Sequence, residues 1–326
     1  MIAILKREWK SYFQNITGWL FIAAVLALYG LYFLAYNLRA GYPYVSYTLS
    51  AISFIMLIAV PILTMRSMAE ERHSRTDQLV LTAPVSLGKM IFGKFLAMVG
   101  VFTVAVAVIA VTPLVLAAFG TVPMGENYVA VLGFWLYGCT CIAVGMLASA
   151  LTESQVIAAV VAFAFLFLGY MMNSITGLIG DHLITKVLGA YDLYTPLQSF
   201  MSGCLDLTGV VYFVSVTGLC LFLTCQCVQK RRWSMTTKKL TTGMFSVAMI
   251  VVGFAVAVAV NMVVKEMPSS WTAVDATSTK LYSLTDTTNK KFEDLQNDPE
   301  ALKNIMEKNP AEYERLLNDY IKRNGK

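Results

Sequence analysis

The sequence predicts an all-α polytopic membrane protein with about seven transmembrane helices, an N-terminal interfacial helix and a small extracytoplasmic C-terminal tail. The first observation is composition: 57% of the 326 residues are hydrophobic and 14% are charged. Soluble domains average about 45–50% apolar and about 25% charged residues. The second is a series of apolar runs whose lengths suit membrane crossings. The third is a one-sided distribution of Lys and Arg between those runs.

Residues 1–16 have the pattern of a basic amphipathic helix. Apolar side chains recur with helical spacing on one face, and Lys6, Arg7 and Lys10 lie on the other. A basic helix that carries Trp and Phe is typical of a segment lying in the membrane interface. The segment is therefore predicted to be an interfacial helix, and the alternative is that its charges simply flank the first crossing on the cytoplasmic side.

Seven apolar runs follow, and a spanning helix needs about 20 mostly apolar residues. The first six runs are assigned to one membrane domain over 17–240, and the last is a seventh transmembrane helix. Lys94 lies about one turn into the third run, so its long side chain is expected to snorkel back to the lipid headgroups. The runs lie near 17–37, 48–65, 91–119, 128–151, 155–180, 207–228 and 241–264.

The Lys and Arg residues orient the predicted spans. Basic groups precede the first run, lie between the second and third, and lie between the sixth and seventh. If every run spans once, these groups share one side, and the opposite loops carry only Arg39 and Lys186. Because Lys and Arg are enriched in cytoplasmic loops, the N-terminus is predicted to be cytoplasmic. Seven crossings then place the tail, residues 265–326, on the extracytoplasmic side of the plasma membrane.

Polar groups within the runs favour packing roles. Asn173 and Asn261 are expected to hydrogen-bond between helices, and Gly145 with Ser149 forms a small-xxx-small pair. That pair favours packing within the chain over a dimer interface. The runs carry no Asp, Glu, Arg or His in their middles. This argues against an ion-driven carrier, since such carriers usually place an ionisable group inside the membrane.

No catalytic, cofactor, metal or nucleic-acid site is predicted. Residues 88–95 fit most of a phosphate-loop pattern, but Phe95 replaces the required Ser or Thr and no strand precedes the segment. His73 and His182 fall on opposite sides of the membrane in the predicted topology, so they do not share a metal. The six Cys residues lie in or beside apolar runs and are expected to pack as free thiols.

The largest polar island before the last third of the chain is the interval 66–89. It mixes acidic and basic residues, then turns apolar at Leu79, Val80 and Leu81 and closes on Pro84. We interpret it as a short cytoplasmic helix and turn that contacts a separate, soluble partner.

Three motifs carry a resemblance to a known family. They are Glu70-Glu71 followed by 76–86, the stretch GMLASALTESQVIA from Gly145, and the stretch GCLDLTGVVYFVSVTGLCLFLT followed by Arg-Arg-Trp at 203–233. Together they resemble the permease subunit of ABC-2 type exporters, specifically the gliding-motility-associated branch, over about 1–235. One departure is Arg75, where the family usually has Gly.

The resemblance implies a non-catalytic transmembrane subunit whose ATPase activity belongs to a partner chain. It implies that 17–240 is a six-span permease domain and that 66–89 is its coupling helix on a cytoplasmic ABC ATPase. A second permease copy or a paralogue would complete the transporter. A chain without a phosphate loop must obtain its energy from such a partner. The expected ATPase-coupling residues are Glu70, Glu71, Arg72, Thr76, Leu79, Leu81 and Pro84.

The seventh run, 241–264, and the tail exceed the usual six-span permease. Residues 275–288 resemble the start of the extracytoplasmic auxiliary subunit often paired with such permeases. The tail is then either a vestigial auxiliary domain or part of a fusion that was cut or diverged. The expected function is ATP-driven export across the membrane. The alternative is a non-transporting membrane scaffold or receptor-like protein whose external tail binds a partner.

Overall fold

The computed structural model describes residues 2–73, 86–179, 189–233, 252–253, 255–264 and 273–276, and most of them are helical. The helices are α1 (Ile2–Gln14), α2 (Ile16–Phe33), α3 (Ser46–Thr64), α4 (Arg66–His73), α5 (Leu87–Ile109), α6 (Thr112–Ala117), α7 (Met124–Leu151), α8 (Gln155–Ile179), α9 (Tyr194–Met201), α10 (Leu207–Trp233) and α11 (Ala255–Val264). A π-helical turn, Leu34–Arg39, continues α2, and a 3-10 turn, Gly189–Tyr191, precedes α9. The two strands are β1 (Cys204–Asp206) and β2 (Ala273–Asp275).

Six helical stretches in the described part of the chain are long and apolar enough to cross a membrane, which confirms the predicted all-α polytopic fold. Each overlaps one of the first six apolar runs. The predicted seventh span is described only at 252–253 and in α11, which is a shorter apolar helix. The six stretches are Ile16–Arg39, Ser46–Arg72, Leu87–Ala117, Met124–Leu151, Gln155–Thr176 and Leu207–Gln229.

The fourth span, α7, lies at the centre of the helical bundle. Among the six candidate spans of the described chain, it is the most deeply buried. Its glycines allow this packing, because small residues let membrane helices approach closely. A methyl group at Gly138 would overlap the ring of Phe102 on α5. One at Gly145 would overlap the side chain of Thr64 on α3. The Gly145 contact lies within the chain, as the small-xxx-small pair predicts.

The helix α11 runs antiparallel to α10. Asn261 donates a hydrogen bond to the hydroxyl of Ser215 at 2.7 Å. Gly253, earlier in the run, faces Phe222, which is later in α10. The strand β2 then pairs antiparallel with β1, which directly precedes α10. The predicted inter-helix hydrogen bond of Asn261 is therefore confirmed, whereas Asn173 on α8 is exposed.

Candidate functional site

The helix α4 forms the first part of the predicted coupling interval, 66–89. It is eight residues long, and isolated helices this short are marginal in water, so contacts with other helices must stabilise it. Within α4, Arg66 donates two hydrogen bonds to the Glu70 carboxylate, each 2.8 Å long. This pair is partly exposed, and exposed helical pairs of this spacing contribute only about 0.3–0.5 kcal/mol.

The beginning of α4 is capped by a side chain of α7. The Ser149 hydroxyl oxygen accepts hydrogen bonds from the backbone N–H groups of Met68 (3.1 Å) and Ala69 (3.0 Å). It also donates one to the Met65 carbonyl at 3.1 Å. The first N–H groups of a helix have no partners within it, and one hydroxyl offers one donor and two acceptor positions. Ser149 therefore uses its full capacity to bind α4 to the fourth span.

A group of charges, Glu8, Glu71 and Lys94, joins α1, α4 and α5, and we call it the Lys94 cluster. Lys94 is buried, and the two carboxylates are half-buried. The ammonium group of Lys94 donates to Glu71 at 2.6 Å and to Glu8 at 3.3 Å. It also donates to the Ser67 carbonyl at 3.3 Å. Only 6% of the Lys94 side chain is exposed. The prediction that Lys94 snorkels to the headgroups was wrong, because two carboxylates of the same chain bind its ammonium group.

Glycines on α5 allow α1 to lie close enough for Glu8 to reach the Lys94 cluster. A methyl group at Gly93 would lie 3.3 Å from the Ile4 side chain. One at Gly100 would overlap the ring of Trp9. In sequence, Glu8 lies between these two contact residues of α1. Part of the apolar face predicted for α1 thus packs against the third span.

The electrostatics of the cluster also involve Arg7 and Tyr12 on α1. Two carboxylates face one ammonium group, and the Arg7 guanidinium approaches from the exposed rim, 3.5 Å from Glu8 and 4.0 Å from Glu71. Burial raises the pKa of the Tyr12 hydroxyl, and the negative charges of Glu8 and Glu71 raise it further. Tyr12, like an ordinary tyrosine, is neutral at physiological pH and adds no charge to the cluster.

Arg72 binds the far end of α4 to the loop that follows α7. Its guanidinium lies 2.8 Å from the carboxylate of Glu153 and donates a hydrogen bond to the Leu151 carbonyl at 3.3 Å. Glu153 is more than half exposed, so this pair is weaker than the Lys94 cluster. Together with Ser149, it gives α4 contacts with the end of α7 at both of its own ends.

The three predicted coupling residues that the structure describes thus have partners within the chain. Glu70 pairs with Arg66, Glu71 with Lys94, and Arg72 with Glu153. The other predicted coupling residues, Thr76, Leu79, Leu81 and Pro84, lie outside the described residues.

Sequence reasoning missed the roles of Glu8, Ser149 and Glu153 at this site. The one visible signal was Lys94 itself, a charge inside an otherwise apolar run. We refer to this part of the bundle, which carries α1, α4, the start of α5 and the end of α7, as the α4 end.

Buried amides organise the opposite end of the bundle, which we call the Asn127 end. The Asn127 side-chain oxygen accepts a hydrogen bond from the Val45 N–H at 2.7 Å. Its amide nitrogen donates to the Pro43 carbonyl at 3.1 Å. Asn127 lies in the first turn of the fourth span and is fully buried. It therefore satisfies two backbone groups of the loop between the first and second spans.

Asn37 binds the same loop from the π-helical turn after α2. Its amide nitrogen donates to the carbonyls of Tyr42 (2.8 Å) and Tyr44 (3.1 Å). Its oxygen accepts a hydrogen bond from the Thr48 hydroxyl at 2.8 Å. Residues 40–45 are thus held by Asn37 and by Asn127 of α7, and Thr48 of α3 orients Asn37, without any charged group among these contacts.

In the part of the chain that the structure describes, neither end of the bundle brings together the side chains of a metal site. Among those residues, no three His, Cys, Asp or Glu side chains lie together as metal ligands would. Cys139, Cys141 and Cys220 are buried, as predicted for small packing groups.

Comparison with known families decides what kind of protein carries this arrangement. A model of the family described as ABC-2 family transporter protein matches residues 36–259, more than half of the chain. The chain belongs to the ABC-2 transporter family. The six spans are therefore those of a multi-pass membrane subunit of an ABC transporter, and the family implies a partner subunit that binds ATP.

The ABC-2 match includes both Glu71 and Lys94 but begins after α1, which carries Glu8. No curated protein and no solved structure shows a significant match to the chain.

Proposed function

We propose that this ABC-2 protein is the permease subunit of an ATP-driven exporter of the gliding-motility-associated branch. Residues 66–89 couple it to a separate cytoplasmic ATPase, and a second copy or a paralogue completes the membrane pore. The observation that carries the proposal is the set of contacts around α4. The Lys94 cluster binds α4 to α1 and α5, and Ser149 binds it to α7.

These contacts make α4 suitable for transmitting a displacement. Breaking a buried ion pair by removing one partner costs about 3–5 kcal/mol, and the Ser149 hydroxyl meets backbone groups that have no helical partner. The neighbouring helices therefore follow α4 when it moves rather than detach from it. A push on α4 reaches α1 and two spans, α5 and α7, at the same time.

Within the coupling interval, we assign the main ATPase contact to the segment after α4. Glu71 and Arg72 hold α4 in place through Lys94 and Glu153. Glu70, which pairs with Arg66, has a side chain that is 45% exposed and lies at the rim. Buried apolar anchors contribute more to an interface than exposed charges do. The sequence predicts such an anchor, and a turn, in the segment that contains Thr76, Leu79, Leu81 and Pro84.

The binding of the ATPase is tested by purifying the full chain from membranes together with its co-expressed ATPase. Leu81→Asp should weaken ATPase binding about 30-fold, which corresponds to loss of a hot-spot contact of about 2 kcal/mol. Arg72→Ala should weaken it by about fivefold or less, because the partly exposed Arg72–Glu153 pair that it removes contributes only about 0–1 kcal/mol to the position of α4.

Phe119→Asp is the matched control, since Phe119 is an exposed apolar residue just after α6, distant in sequence from the coupling interval. If the Leu81 and Arg72 variants both retain the ATPase and full transport-linked ATP hydrolysis, residues 66–89 are not the coupling element.

The proposal includes a topology with the N-terminus in the cytoplasm and the tail, 265–326, outside. The one-sided Lys and Arg support the first point. The second is supported by α11, which runs antiparallel to α10, and by β2, which pairs with β1 at the start of α10. An extracytoplasmic auxiliary subunit would then bind the tail. Single-Cys labelling of intact cells should modify position 270 and spare position 234; labelling of 270 only after permeabilisation would contradict this topology.

A further inference from the structure

We infer that α1 is a moving part of the coupling unit, joined to α4 by the bridge Glu8–Lys94–Glu71, and that Glu8 is its positioning residue. This inference rests on the proposed function, because it concerns the movement of α1 when the ATPase displaces α4. An interfacial helix held by lipid alone would stay in the membrane plane. An α1 bound to the coupling helix moves with it.

The bridge is buried at its centre, Lys94, and its two carboxylates are half-buried. The exposed fractions of the three side chains are 14% for Glu8, 6% for Lys94 and 20% for Glu71. Salt screens buried pairs much less than exposed ones, so the bridge persists at cellular ionic strength. Arg7 adds a second contact to Glu71 at 4.0 Å, but its side chain is 73% exposed. Glu8 is therefore the main ionic connection from α1 to the coupling helix.

The next contact passes from α1 to the first span. The indole N–H of Trp19 on α2 donates to the Phe13 carbonyl on α1 at 2.9 Å. The rings of Phe13 and Trp19 meet edge to face, with centroids 5.4 Å apart. Within α1, the tilted rings of Trp9 and Phe13 have centroids 5.2 Å apart. The Trp9 ring also packs directly on Gly100 of α5. Displacement of α4 can thus reach the first span through α1.

A substitution at Glu8 can weaken the ionic connection between α1 and the coupling helix while the Lys94–Glu71 pair stays in place. Removing Lys94 would leave two half-buried carboxylates facing each other. Glu8→Gln retains the side-chain shape and leaves the Lys94–Glu71 ion pair intact. It therefore weakens the bond between α1 and the bridge without creating an unpaired charge, and the protein is expected to fold.

The test measures the position of α1 in the full chain with its bound ATPase in lipid bilayers. Spin-labelled unnatural amino acids at positions 11, exposed on α1, and 156, exposed at the start of α8, report the distance between the two helices. Trapping the ATPase with ATP and vanadate should shift this distance by about 1–2 Å or more, the scale of helix shifts in switching proteins. Glu8→Gln should lose at least half of the shift.

Two variants on the same helix serve as controls. Lys10→Gln removes an exposed charge from α1 and should shift as the wild type does. Glu8→Asp keeps the carboxylate and should retain most of the shift, which a role in packing alone does not predict. The amount of bound ATPase is measured in every sample.

A trapped complex in which α1 does not move would overturn the inference and leave the proposed function intact. The same holds if Glu8→Gln moves α1 as far as the wild type does. A chain that binds no ATPase at all would overturn the proposed function and this inference together.

Discussion

The two ends of the bundle are held together by different chemistry. At the α4 end, the Lys94 cluster and the Arg72–Glu153 pair are ionic and act beside the neutral Ser149 cap. At the Asn127 end, Asn37 and Asn127 bind backbone groups through neutral amides. Ionic attraction falls slowly with distance, whereas hydrogen bonds weaken steeply when they are misaligned. The α4 end is therefore suited to remain connected during a displacement, and the Asn127 end to hold its loop in one conformation.

The fourth span connects the two ends. Asn127 lies in the first turn of α7 and Ser149 lies in its last turn. The helix has 28 residues, so it extends about 42 Å at about 1.5 Å per residue. Because α7 is also the most deeply buried of the six spans of the described chain, any relative movement of the other spans must occur against it. Both ends share this central helix, so a difference in how far each end moves must come from the different contacts at the two ends.

Of the substitutions that distinguish the two ends, Lys94→Met is expected to lower the free energy of unfolding most. The substitution keeps an unbranched side chain but leaves the half-buried carboxylates of Glu8 and Glu71 without their ammonium partner, with only the exposed Arg7 guanidinium nearby. Removing one partner of a buried ion pair costs about 3–5 kcal/mol, so the free energy of unfolding should fall by about that amount. Reversible unfolding in mixed detergent micelles measures it.

Arg66→Ala is the matched control on α4, because its partner Glu70 is also acidic but the pair is partly exposed. It should lower the free energy of unfolding by only about 0.3–0.5 kcal/mol, and added salt should abolish that difference. An equal cost for the two variants would mean that burial does not distinguish these ion pairs.

Much of the fold was predictable because bilayer thickness imposes length and composition on each span. The six described spans follow directly from apolar runs, and Gly145 and Asn261 follow from the preferences of membrane helix packing. Such signals are local in sequence. They depend on which residues occur near each other along the chain, so one sequence is sufficient to read them.

The candidate site was predictable only in part, because its contacts join residues that are distant in sequence. Glu8, Glu71 and Lys94 come from three separate helices, and no local pattern pairs them. Lys94 was misread because a lysine near the end of a span ordinarily finds water. Ser149 was recognised as small, but its hydroxyl acquires a capping role only once α4 lies beside it. Partner identity therefore requires the tertiary structure.

A smaller effect, at the other end, is expected for Asn127→Ala. The Val45 N–H and the Pro43 carbonyl would each lose their side-chain partner. A buried polar group left without a hydrogen bond costs about 1–3 kcal/mol. The loop that contains these groups reaches the end of the bundle, where water satisfies part of the loss, so a total of about 2–3 kcal/mol is expected. Unlike the Arg66 effect, this cost should not change with salt, because neither partner is charged.

Local opening of the loop provides the second readout for Asn127→Ala. Arg39 is exposed immediately before residues 40–45, so release of that loop should accelerate tryptic cleavage after Arg39. Asn173→Ala is the matched control, since it removes the same side chain from an exposed position on α8, and it should change neither unfolding nor cleavage. The Lys94→Met variant is compared with the wild type at detergent compositions that give the two proteins equal free energies of unfolding. Faster cleavage after Arg39 in the variant under those conditions would show that the two ends are coupled through α7. Cleavage confined to the Asn127 variant would show that each end opens independently.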